Sequence, residues 1–263
     1  MDNHDLIDYY NHYDEDSRLT ESRHGQVEYL TTRKYVDAFA KKTDKLLEIG
    51  AGTGRYSVTL AKEGYDVTAV ELVESNLNIL RSKLDGSEKI ETFQGNALDL
   101  SFLESSSFDV TLLLGPMYHL YTHAEQVTAL KEALRVTKPG GYILVAYCMN
   151  EATVIQYVFG CNSRNSLMDL HGITPDWKCV SQPKDLFQMM RLEDIDAVNA
   201  EVDAQRVKIV ATDGASRYIR DYLERFDDAS FAKWLDYHFA TCERMDLIGA
   251  TNHSLDILRK KDT

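Results

Sequence analysis

The run Leu46–Gly54 constrains this chain of 263 residues more than any other part of it. It reads Leu-Leu-Glu-Ile-Gly-Ala-Gly-Thr-Gly, so an apolar strand leads directly into a loop with glycine at every second position. Glycine adopts positive φ without strain and allows close approach of the backbone to a ligand. A strand that passes through such a loop into a helix is typical of a nucleotide-type binding site.

The spacing of these glycines separates the kinds of nucleotide loop. A dinucleotide fingerprint counted from Gly50 would need glycine at position 55, where the chain has Arg55. A P-loop would need G-K-[ST] after the glycines, and that sequence is absent. The pattern from Glu48 to Gly54 is E-x-G-x-G-x-G, which resembles the first motif of class I S-adenosylmethionine-dependent methyltransferases.

From residue 44 onward, short apolar runs alternate with amphipathic segments. The pattern predicts strands at Lys45–Gly50, Asp66–Glu71, Ile90–Gly95, Phe108–Leu114 and Tyr142–Tyr147. Strands that alternate with helices at this spacing indicate right-handed crossovers and a parallel sheet. We expect Pro139-Gly140-Gly141 to stop a helix and turn the chain into the fifth strand. We also expect His253–Lys260 to form a last edge strand.

Further motifs extend the resemblance over residues 44–148. "VTAVE" ends at Glu71, whose carboxylate can accept hydrogen bonds from a ribose. "FQGNALDLSF" places Asn96 where the family often has an aspartate for the adenine amino group, and a register shift would bring Asp99 there instead. "ALRVTKPGGYILVAY" is similar to the helix, turn and strand of the small-molecule branch. The resemblance implies S-adenosylmethionine as cofactor, contacted by Glu48, Gly50, Ala51, Gly52, Thr53, Gly54, Glu71, Leu72, Asn96, Ala97, Leu98, Leu114 and Gly115.

The same resemblance implies an α/β fold with a doubly wound, mostly parallel, seven-stranded sheet of the Rossmann-like methyltransferase type. We expect four segments along the chain. Residues 1–43 would form an N-terminal helical lid, and residues 44–148 the cofactor-binding core. Residues 149–204 would be an inserted cap, and residues 205–263 would supply strands and helices that complete the sheet.

Candidate catalytic and substrate residues follow the fourth predicted strand. In an open α/β sheet, ligands bind beyond the carboxyl ends of the strands, where Gly115-Pro116-Met117-Tyr118-His119 emerges. His119 is the first candidate for a general base, since its reference pKa of roughly 6.5 suits proton transfer near neutrality. Local packing is the alternative for His119. We predict acceptor contacts from Tyr10, Arg23, Tyr118 and Tyr237, for which packing within the fold is again the alternative.

Composition excludes several other classes. The net charge is −13 and the isoelectric point about 5.0, which argues against a nucleic-acid partner and against attraction to an anionic membrane. The cysteines at 148, 161, 179 and 242 are scattered, so the sequence predicts no metal site. No apolar segment approaches the ~20 residues of a membrane span, and no leader is evident, so we expect a cytoplasmic location.

The sequence therefore predicts an S-adenosylmethionine-dependent methyltransferase that acts on a small-molecule acceptor by in-line methyl transfer. Three alternatives remain. The chain could methylate tRNA or another macromolecule, although its acidic charge counts against this. It could bind S-adenosylmethionine without catalysis. It could be a nicotinamide-dependent oxidoreductase, which Arg55 and the glycine spacing disfavour.

Overall fold

One mixed sheet organises the protein. The computed structural model describes residues 4–160 and 172–262. In these ranges the sheet contains eight strands in the order β3-β2-β1-β4-β5-β8-β7, with β6 paired to β5. The strands are β1 (Lys45–Ile49), β2 (Asp66–Glu71), β3 (Ile90–Gln94), β4 (Phe108–Leu113), β5 (Thr137–Met149), β6 (Met189–Met190), β7 (Ala204–Ala211) and β8 (His253–Lys260).

The strand directions confirm the predicted doubly wound, mostly parallel sheet. Strands β1 to β5 pair in parallel, β6 adds in parallel to the end of β5, and β8 runs antiparallel to both β5 and β7. The sheet has eight strands and not the expected seven, because the two-residue β6 pairs with Cys148 and Met149. The reversal of strand order between β1 and β4 creates the crevice in which such sheets bind ligands.

Helices cover both faces of the sheet and its carboxyl edge. Within the described ranges the α-helices are α1 (His4–His12), α2 (Arg23–Phe39), α3 (Ser57–Lys62), α4 (Glu74–Ser82), α5 (His123–Val136), α6 (Asn150–Thr153), α7 (Leu192–Ala200), α8 (Arg220–Leu223), α9 (Asp228–Thr241) and α10 (Met245–Ile248). A short 3₁₀ helix spans Pro116–His119, and a π-helix spans Val154–Gly160. None of the helices described is both long enough and apolar enough to cross a membrane.

The core lies on both sides of the central strands. Leu46 of β1 packs into one hydrophobic cluster, whereas its neighbours Leu47 and Ile49 pack into the other. Successive side chains of a strand point to opposite faces, so a strand covered by helices on both sides is apolar throughout. Burying each such side chain stabilises the fold by about 1.5–3 kcal/mol. The rigid centre of the sheet thus carries the loops at its carboxyl edge.

The expected turn at Pro139-Gly140-Gly141 lies inside a strand. Helix α5 already ends at Val136, and these residues form a bulge in β5 between the pairs Phe108–Thr137 and Val110–Tyr142. A Cβ at Gly141 would stand 2.7 Å from the carbonyl oxygen of Asp109, so the bulge packs too closely on β4 for a side chain. The prediction of a helix stop at these residues was wrong by a few positions.

The final strand is internal and not at an edge. β8 lies between β5 and β7, and every residue from Ser254 to Leu258 is buried. The strand also contains a charged residue, Asp256. Asp256 is nevertheless fully buried, because Arg206 donates to its Oδ1 from Nε at 2.6 Å and Asn199 donates to its Oδ2 at 2.6 Å. A buried ion pair with Arg206 therefore satisfies this carboxylate inside the sheet.

The predicted segment boundaries stay a prediction. The described part of the expected cap, residues 149–204, contributes β6 to the sheet and α7 to the core cluster that includes Ile195 and Val198. Residues 161–171, among them Cys161, lie outside the described residues. The three described cysteines, Cys148, Cys179 and Cys242, are unpaired thiols.

Candidate functional site

The glycine loop after β1 has a different role at each glycine. All three have positive φ, at 78°, 53° and 85° for Gly50, Gly52 and Gly54. A Cβ at Gly50 would lie 2.5 Å from Cδ of Pro116, and one at Gly54 would lie 2.6 Å from Cγ of Leu80. A Cβ at Gly52 would meet only Cγ of Glu15, at 3.7 Å. Packing therefore requires the outer two glycines, whereas the central glycine faces open space.

That space is a cavity of about 600 Å³ beyond the carboxyl ends of β1, β2 and β4. It lies where the strand order reverses, which is the expected position of a ligand site in an open α/β sheet. Many residues that the sequence singled out line this cavity: Tyr10, Gly50, Gly52, Glu71, Leu72, Asn96, Ala97, Leu114, Gly115, Tyr118 and His119. The fold thus brings together motifs that lie far apart in the chain.

Two buried glutamates accept hydrogen bonds near the glycine loop, Glu48 at the start of α3 and Glu71 at the loop itself. Glu48 accepts hydrogen bonds from the backbone N–H of Ser57, at 2.9 Å, and from its hydroxyl, and burial raises the pKa of Glu48 to about 8. Glu48 does not line the cavity but holds the start of α3. Glu71 accepts from the N–H of Gly52 at 2.7 Å and from the N–H of Val73 at 2.8 Å. Burial also raises the pKa of Glu71, which lines the cavity directly.

The turn after β3 presents Asn96 and not Asp99. Asn96 lines the cavity, and its Oδ1 accepts a hydrogen bond from the N–H of Leu98 at 3.0 Å. Asp99 is exposed, and its Oδ1 accepts from the N–H of Ser101 at 3.0 Å. Leu98 and Asp99 line a separate shallow groove beside α5. Asp99, the register alternative to Asn96, therefore lies outside the cavity lining, and so does Leu98.

His119 closes one wall of the cavity. Its Nδ1 lies 2.7 Å from the carbonyl oxygen of Leu186, and its Nε2 lies 3.1 Å from the hydroxyl of Tyr10. Because a carbonyl only accepts, Nδ1 carries the proton and Nε2 accepts from Tyr10. Burial lowers the pKa of His119 to about 4, so its imidazole is neutral at physiological pH. The histidine therefore anchors the N-terminal helix α1 over the cavity.

A second anchor joins the N-terminal segment to the glycine loop. The hydroxyl of Thr53 donates to Oδ1 of Asp16 at 2.9 Å. Lys83 forms an ion pair with Asp16 and donates to the carbonyl oxygen of Thr53 at 2.8 Å. Thr53, with buried Ala51 and tightly packed Gly54, lies outside the cavity lining. These three predicted residues shape the loop from its far side.

Two predicted substrate residues lie elsewhere. Arg23 donates to Asp228 at 2.7 Å, and its guanidinium lies 4.6 Å from the ring centroid of Phe231. Tyr237 is 55% exposed and packs on Trp234 with ring centroids 5.5 Å apart. Neither residue is part of the cavity lining, because both are engaged on the outside of α9. The structure gives them no contact with the proposed site.

The structure adds a charged cluster that the sequence patterns did not reveal. Arg18 donates from Nε to Glu15 at 3.0 Å and from Nη1 to both carboxylate oxygens of Glu28 at 3.1 Å. His253 places Nδ1 3.0 Å from Oδ2 of Asp213 and 3.4 Å from Oε2 of Glu28. All five residues line the cavity. We call these five residues the charged cluster.

The carboxylates fix the protonation of this cluster. Burial opposes the charge on His253, but Glu28 and Asp213 outweigh it and hold the pKa of His253 well above its usual value. Burial likewise raises the pKa of Asp213, but its hydrogen bond and charge interaction with His253 are stronger, and the pKa is lowered. One ligand atom each from Glu28, Asp213 and His253 lies within 4.8 Å of the others, a spacing that also suits a metal ion. Arg18 and charged His253 already supply positive charge there.

A topological signal for the cluster was present in the sequence. Asp213 lies two residues after the end of β7, and His253 begins β8. Because β7 runs in the direction of β1 to β5, its carboxyl end reaches the same edge of the sheet as the glycine loop. The sequence pattern indicated only a turn at Asp213-Gly214, since the partner of β7 could not be identified from the pattern alone.

Known proteins resemble the chain in the same region. A family model described as a methyltransferase domain matches residues 47–145. The demethylmenaquinone methyltransferase of Clavibacter sepedonicus is 33% identical over 133 residues, which are 51% of this chain and 52% of that protein. A protein of the same name from Staphylococcus aureus is 33% identical over 112 residues, 41% of this chain and 44% of that one. The chain thus spans about half the length of these curated relatives.

Solved structures match almost the whole chain. A methyltransferase dependent on S-adenosylmethionine from Thermotoga maritima has a TM-score of 0.59 at 20% identity, covering 98% of this chain and 100% of its own. The CcbJ methyltransferase of Streptomyces caelestis has a TM-score of 0.58 at 16% identity, covering 97% of this chain and 96% of its own. At such identities the likeness establishes the fold.

Proposed function

We propose that this chain is a class I S-adenosylmethionine-dependent methyltransferase and that it transfers the methyl group in line to a small-molecule acceptor bound in the same cavity. The observation that carries the proposal is that Gly52 faces the cavity. The space where Gly50 and Gly54 would carry a Cβ is occupied by Pro116 and Leu80, whereas the corresponding space at Gly52 is part of the cavity. An adenosyl amino acid needs a loop whose backbone it can approach closely, and any Cβ at this position would begin to occupy that space.

The residues present fit the cofactor. Glu71 offers carboxylate oxygens, each with a second lone pair, for the ribose hydroxyls, while Gly52 and Val73 keep it in place. Asn96 offers its carbonyl oxygen for the adenine amino group. Arg18 lies beside the glycine loop, because its hydrogen-bond partner Glu15 is the residue nearest to a Cβ at Gly52. The guanidinium of Arg18 suits the carboxylate of the cofactor's amino-acid portion.

S-adenosylmethionine supplies a methyl group that its sulfonium already activates, so this chain's main task is placement. Alignment of two bound reactants can contribute roughly 7–11 kcal/mol in favourable cases. Gly50 to Gly52, Glu71 and Asn96 would fix one reactant. The remaining lining, which includes Tyr118, Tyr157 and Phe187, would enclose the other and exclude water.

His119 has a positioning role in this proposal. Its Nε2 accepts a hydrogen bond from the hydroxyl of Tyr10, and its Nδ1–H donates one to the carbonyl oxygen of Leu186, so both nitrogens are engaged. The imidazole thus holds the hydroxyl of Tyr10 at the cavity wall. Residues 1–43 then act as the lid, and residues 149–204 contribute cap residues such as Thr153 and Met189 to the lining.

A small acceptor is favoured by the enclosure of the cavity and by the charge of the chain. Helix α1 and the segment around Phe187 meet over the cavity through the rings of Tyr9 and Phe187, whose centroids lie 6.0 Å apart. A net charge of −13 disfavours a polyanion. The relatives that match over about half of their length are named as demethylmenaquinone methyltransferases, which denotes a quinone-type acceptor for those proteins. For this chain we propose the broader class of small molecules.

The test follows the methyl group. Purified protein is incubated with methyl-labelled S-adenosylmethionine and, separately, with the small-molecule, RNA and protein fractions of a cell extract. We expect label in the small-molecule fraction with the wild-type protein and none with Gly52→Val. Label in RNA or protein would contradict the proposal, and so would the absence of label from every fraction, which would favour a non-catalytic binding protein.

A further inference from the structure

The charged cluster has one nitrogen that its own partners do not use. His253 directs Nδ1 to Asp213 and Glu28, at 3.0 and 3.4 Å, which leaves Nε2 on the opposite edge of the ring. Among residues 4–160 and 172–262, none forms a hydrogen bond with this Nε2, and His253 lines the cavity. The imidazole packs beside the ring of Tyr118, and the two ring centroids lie 5.8 Å apart.

The carboxylates around His253 are, by contrast, occupied by donors from the protein. Asp213 accepts at Oδ1 from the hydroxyl of Thr251 and the N–H groups of Asn252 and His253, at 2.6, 3.0 and 3.2 Å, and at Oδ2 from Nδ1 of His253. Glu28 accepts two hydrogen bonds from Arg18. A carboxylate has about four lone-pair sites, so these acids have little capacity left for a ligand.

The hydrogen-bonding capacity that remains in the charged cluster therefore favours a ligand atom that accepts a hydrogen bond over one that donates it. With two carboxylates holding Nδ1–H, the ring carries a proton on each nitrogen, and Nε2–H is a cationic donor. Arg18 lies on the same wall, and its hydrogen bonds to the described residues leave from Nε and Nη1. A cationic N–H donor such as Nε2–H of His253, with a second positive group nearby, stabilises an oxyanion.

The remaining walls point to a flat, apolar body for the same ligand. Six aromatic rings line the cavity: Tyr9, Tyr10, Tyr13, Tyr118, Tyr157 and Phe187. Tyr9 and Tyr13 stack with centroids 5.0 Å apart, which leaves planar faces along one side. Aromatic side chains pack favourably against another ring by offset or edge contacts. An oxyanion attached to a planar ring is a phenolate or an enolate.

We propose that the acceptor carries an acidic hydroxyl, of a phenol or a cyclic enol, and that the Nε2–H of His253 binds it as the oxyanion. This inference rests on the proposed function, since it identifies the acceptor class of the same cavity. The hydroxyl proton passes to bulk water as the acceptor binds. Asp213 and Glu28 are positioning residues that keep His253 charged and oriented, and Arg18 neutralises Glu28.

The probe for the test is 4-nitrophenol, because its phenolate absorbs visible light and its phenol does not. The protein is first saturated with S-adenosylhomocysteine, which lacks the sulfonium, so any preference for an anion comes from the protein. We expect the bound probe to ionise about one pH unit or more below the free probe, a tenfold preference for the phenolate. The cation 4-nitrobenzylamine should not compete with it.

His253→Gln keeps a neutral N–H donor but removes the charge, so it should abolish most of the shift. His123→Gln, at an exposed histidine at the start of α5, is the matched control and should leave the shift unchanged. Affinity for S-adenosylhomocysteine, measured by calorimetry, verifies that each variant is folded. The comparison of the two probes on the wild-type protein requires no variant, so it decides the question even if His253→Gln does not fold.

Three results with the wild-type protein would overturn the inference: no binding of 4-nitrophenol, binding without preference for the phenolate, or displacement by the cationic probe. An identical shift in His253→Gln would also overturn it. If S-adenosylhomocysteine itself does not bind, the proposed function fails first. If it binds normally and the phenolate preference is absent, only the acceptor class is wrong.

Discussion

The hydroxyl of Tyr10 lies 3.1 Å from Nε2 of His119, although 109 residues separate them in the chain. This contact joins helix α1 to the end of β4 and covers the cavity between them. Helix α1 has no buried residue of its own. Besides this bond, α1 is tied to the body of the protein by the hydrogen bond from Ser75 to Asn11 at 2.7 Å and by the packing of Tyr9 on Phe187.

Tyr10→Phe should therefore loosen the lid without unfolding the protein. One hydrogen bond contributes about 0.5–1.5 kcal/mol, so amide exchange in residues 4–12 should become up to about tenfold faster. Hydrogen exchange followed by mass spectrometry measures this directly. Tyr13→Phe is the control, since the exposed Tyr13 hydroxyl has no hydrogen-bond partner among the described residues. Equal protection in wild type and Tyr10→Phe would contradict the assigned contact.

Gly52→Val should abolish binding of S-adenosylhomocysteine. The substitution places a branched side chain at φ of 53°, and that side chain enters the cavity. The matched control is Gly64→Val, because Gly64 also has positive φ, at 91°, but a Cβ there would have nothing within 4 Å and would lie outside the cavity lining. Both variants should lose stability through backbone strain, by about 1–2 kcal/mol. Only Gly52→Val should lose calorimetric affinity, and retained affinity would count against the site.

Glu71→Ala should weaken cofactor binding by about 1–3 kcal/mol, roughly 5- to 150-fold, through lost hydrogen bonds to the ribose and lost support of the Gly52 N–H. Glu91→Ala, at an exposed position of the adjacent strand β3, is the control and should bind as the wild type does. Isothermal titration of both variants makes the comparison. An unchanged affinity for Glu71→Ala would remove the carboxylate from the proposed contact.

Acidification should destabilise the protein partly through His119. Its folded-state pKa of about 4 lies below the ordinary value near 6.5 of the unfolded chain. Above pH 6.5 both states are neutral; as the pH falls toward 4, only the unfolded state gains the proton, and stability is lost. Between pH 7 and pH 5 this loss is about 1–2 kcal/mol for one such histidine.

Urea unfolding at the two pH values measures that loss. His238, whose pKa burial also lowers to about 4, contributes in the same direction, so the variant and not the wild type isolates His119. His119→Gln should lose less stability than the wild type on going from pH 7 to pH 5, whereas His123→Gln should behave as the wild type. A pH dependence unaltered by His119→Gln would show that the imidazole is not held neutral.

The sequence predicted those parts of the site that local pattern determines. The glycine loop, Glu71 at the end of β2 and the region after β4 follow directly from strand ends along the chain, and the structure brings them to one cavity. The charged cluster escaped prediction because its partners come from a loop, from α2 and from the two last strands. Arg18, Glu28 and His253 meet only once the order β5-β8-β7 is known.

Two predicted acceptor residues lie apart from the cavity for the same reason. Arg23 belongs to an N-terminal segment expected to cover the site, but it forms an ion pair with Asp228 on α9. Tyr237 belongs to an aromatic-rich helix, yet the buried residues of that helix, α9, are Phe231 and His238. In both instances the residue type was suitable for a binding site, and tertiary packing decided which side of the helix faced the cavity.

A crystal structure of the protein with S-adenosylhomocysteine tests the assignment of the cofactor cavity most directly. We predict the ribose hydroxyls at Glu71, the amino-acid portion along Gly50 to Gly52, and residual space beside the sulfur lined by Tyr118 and His253. The ligand bound outside this cavity, or a pyrophosphate-containing nucleotide binding there in its place, would contradict the assignment.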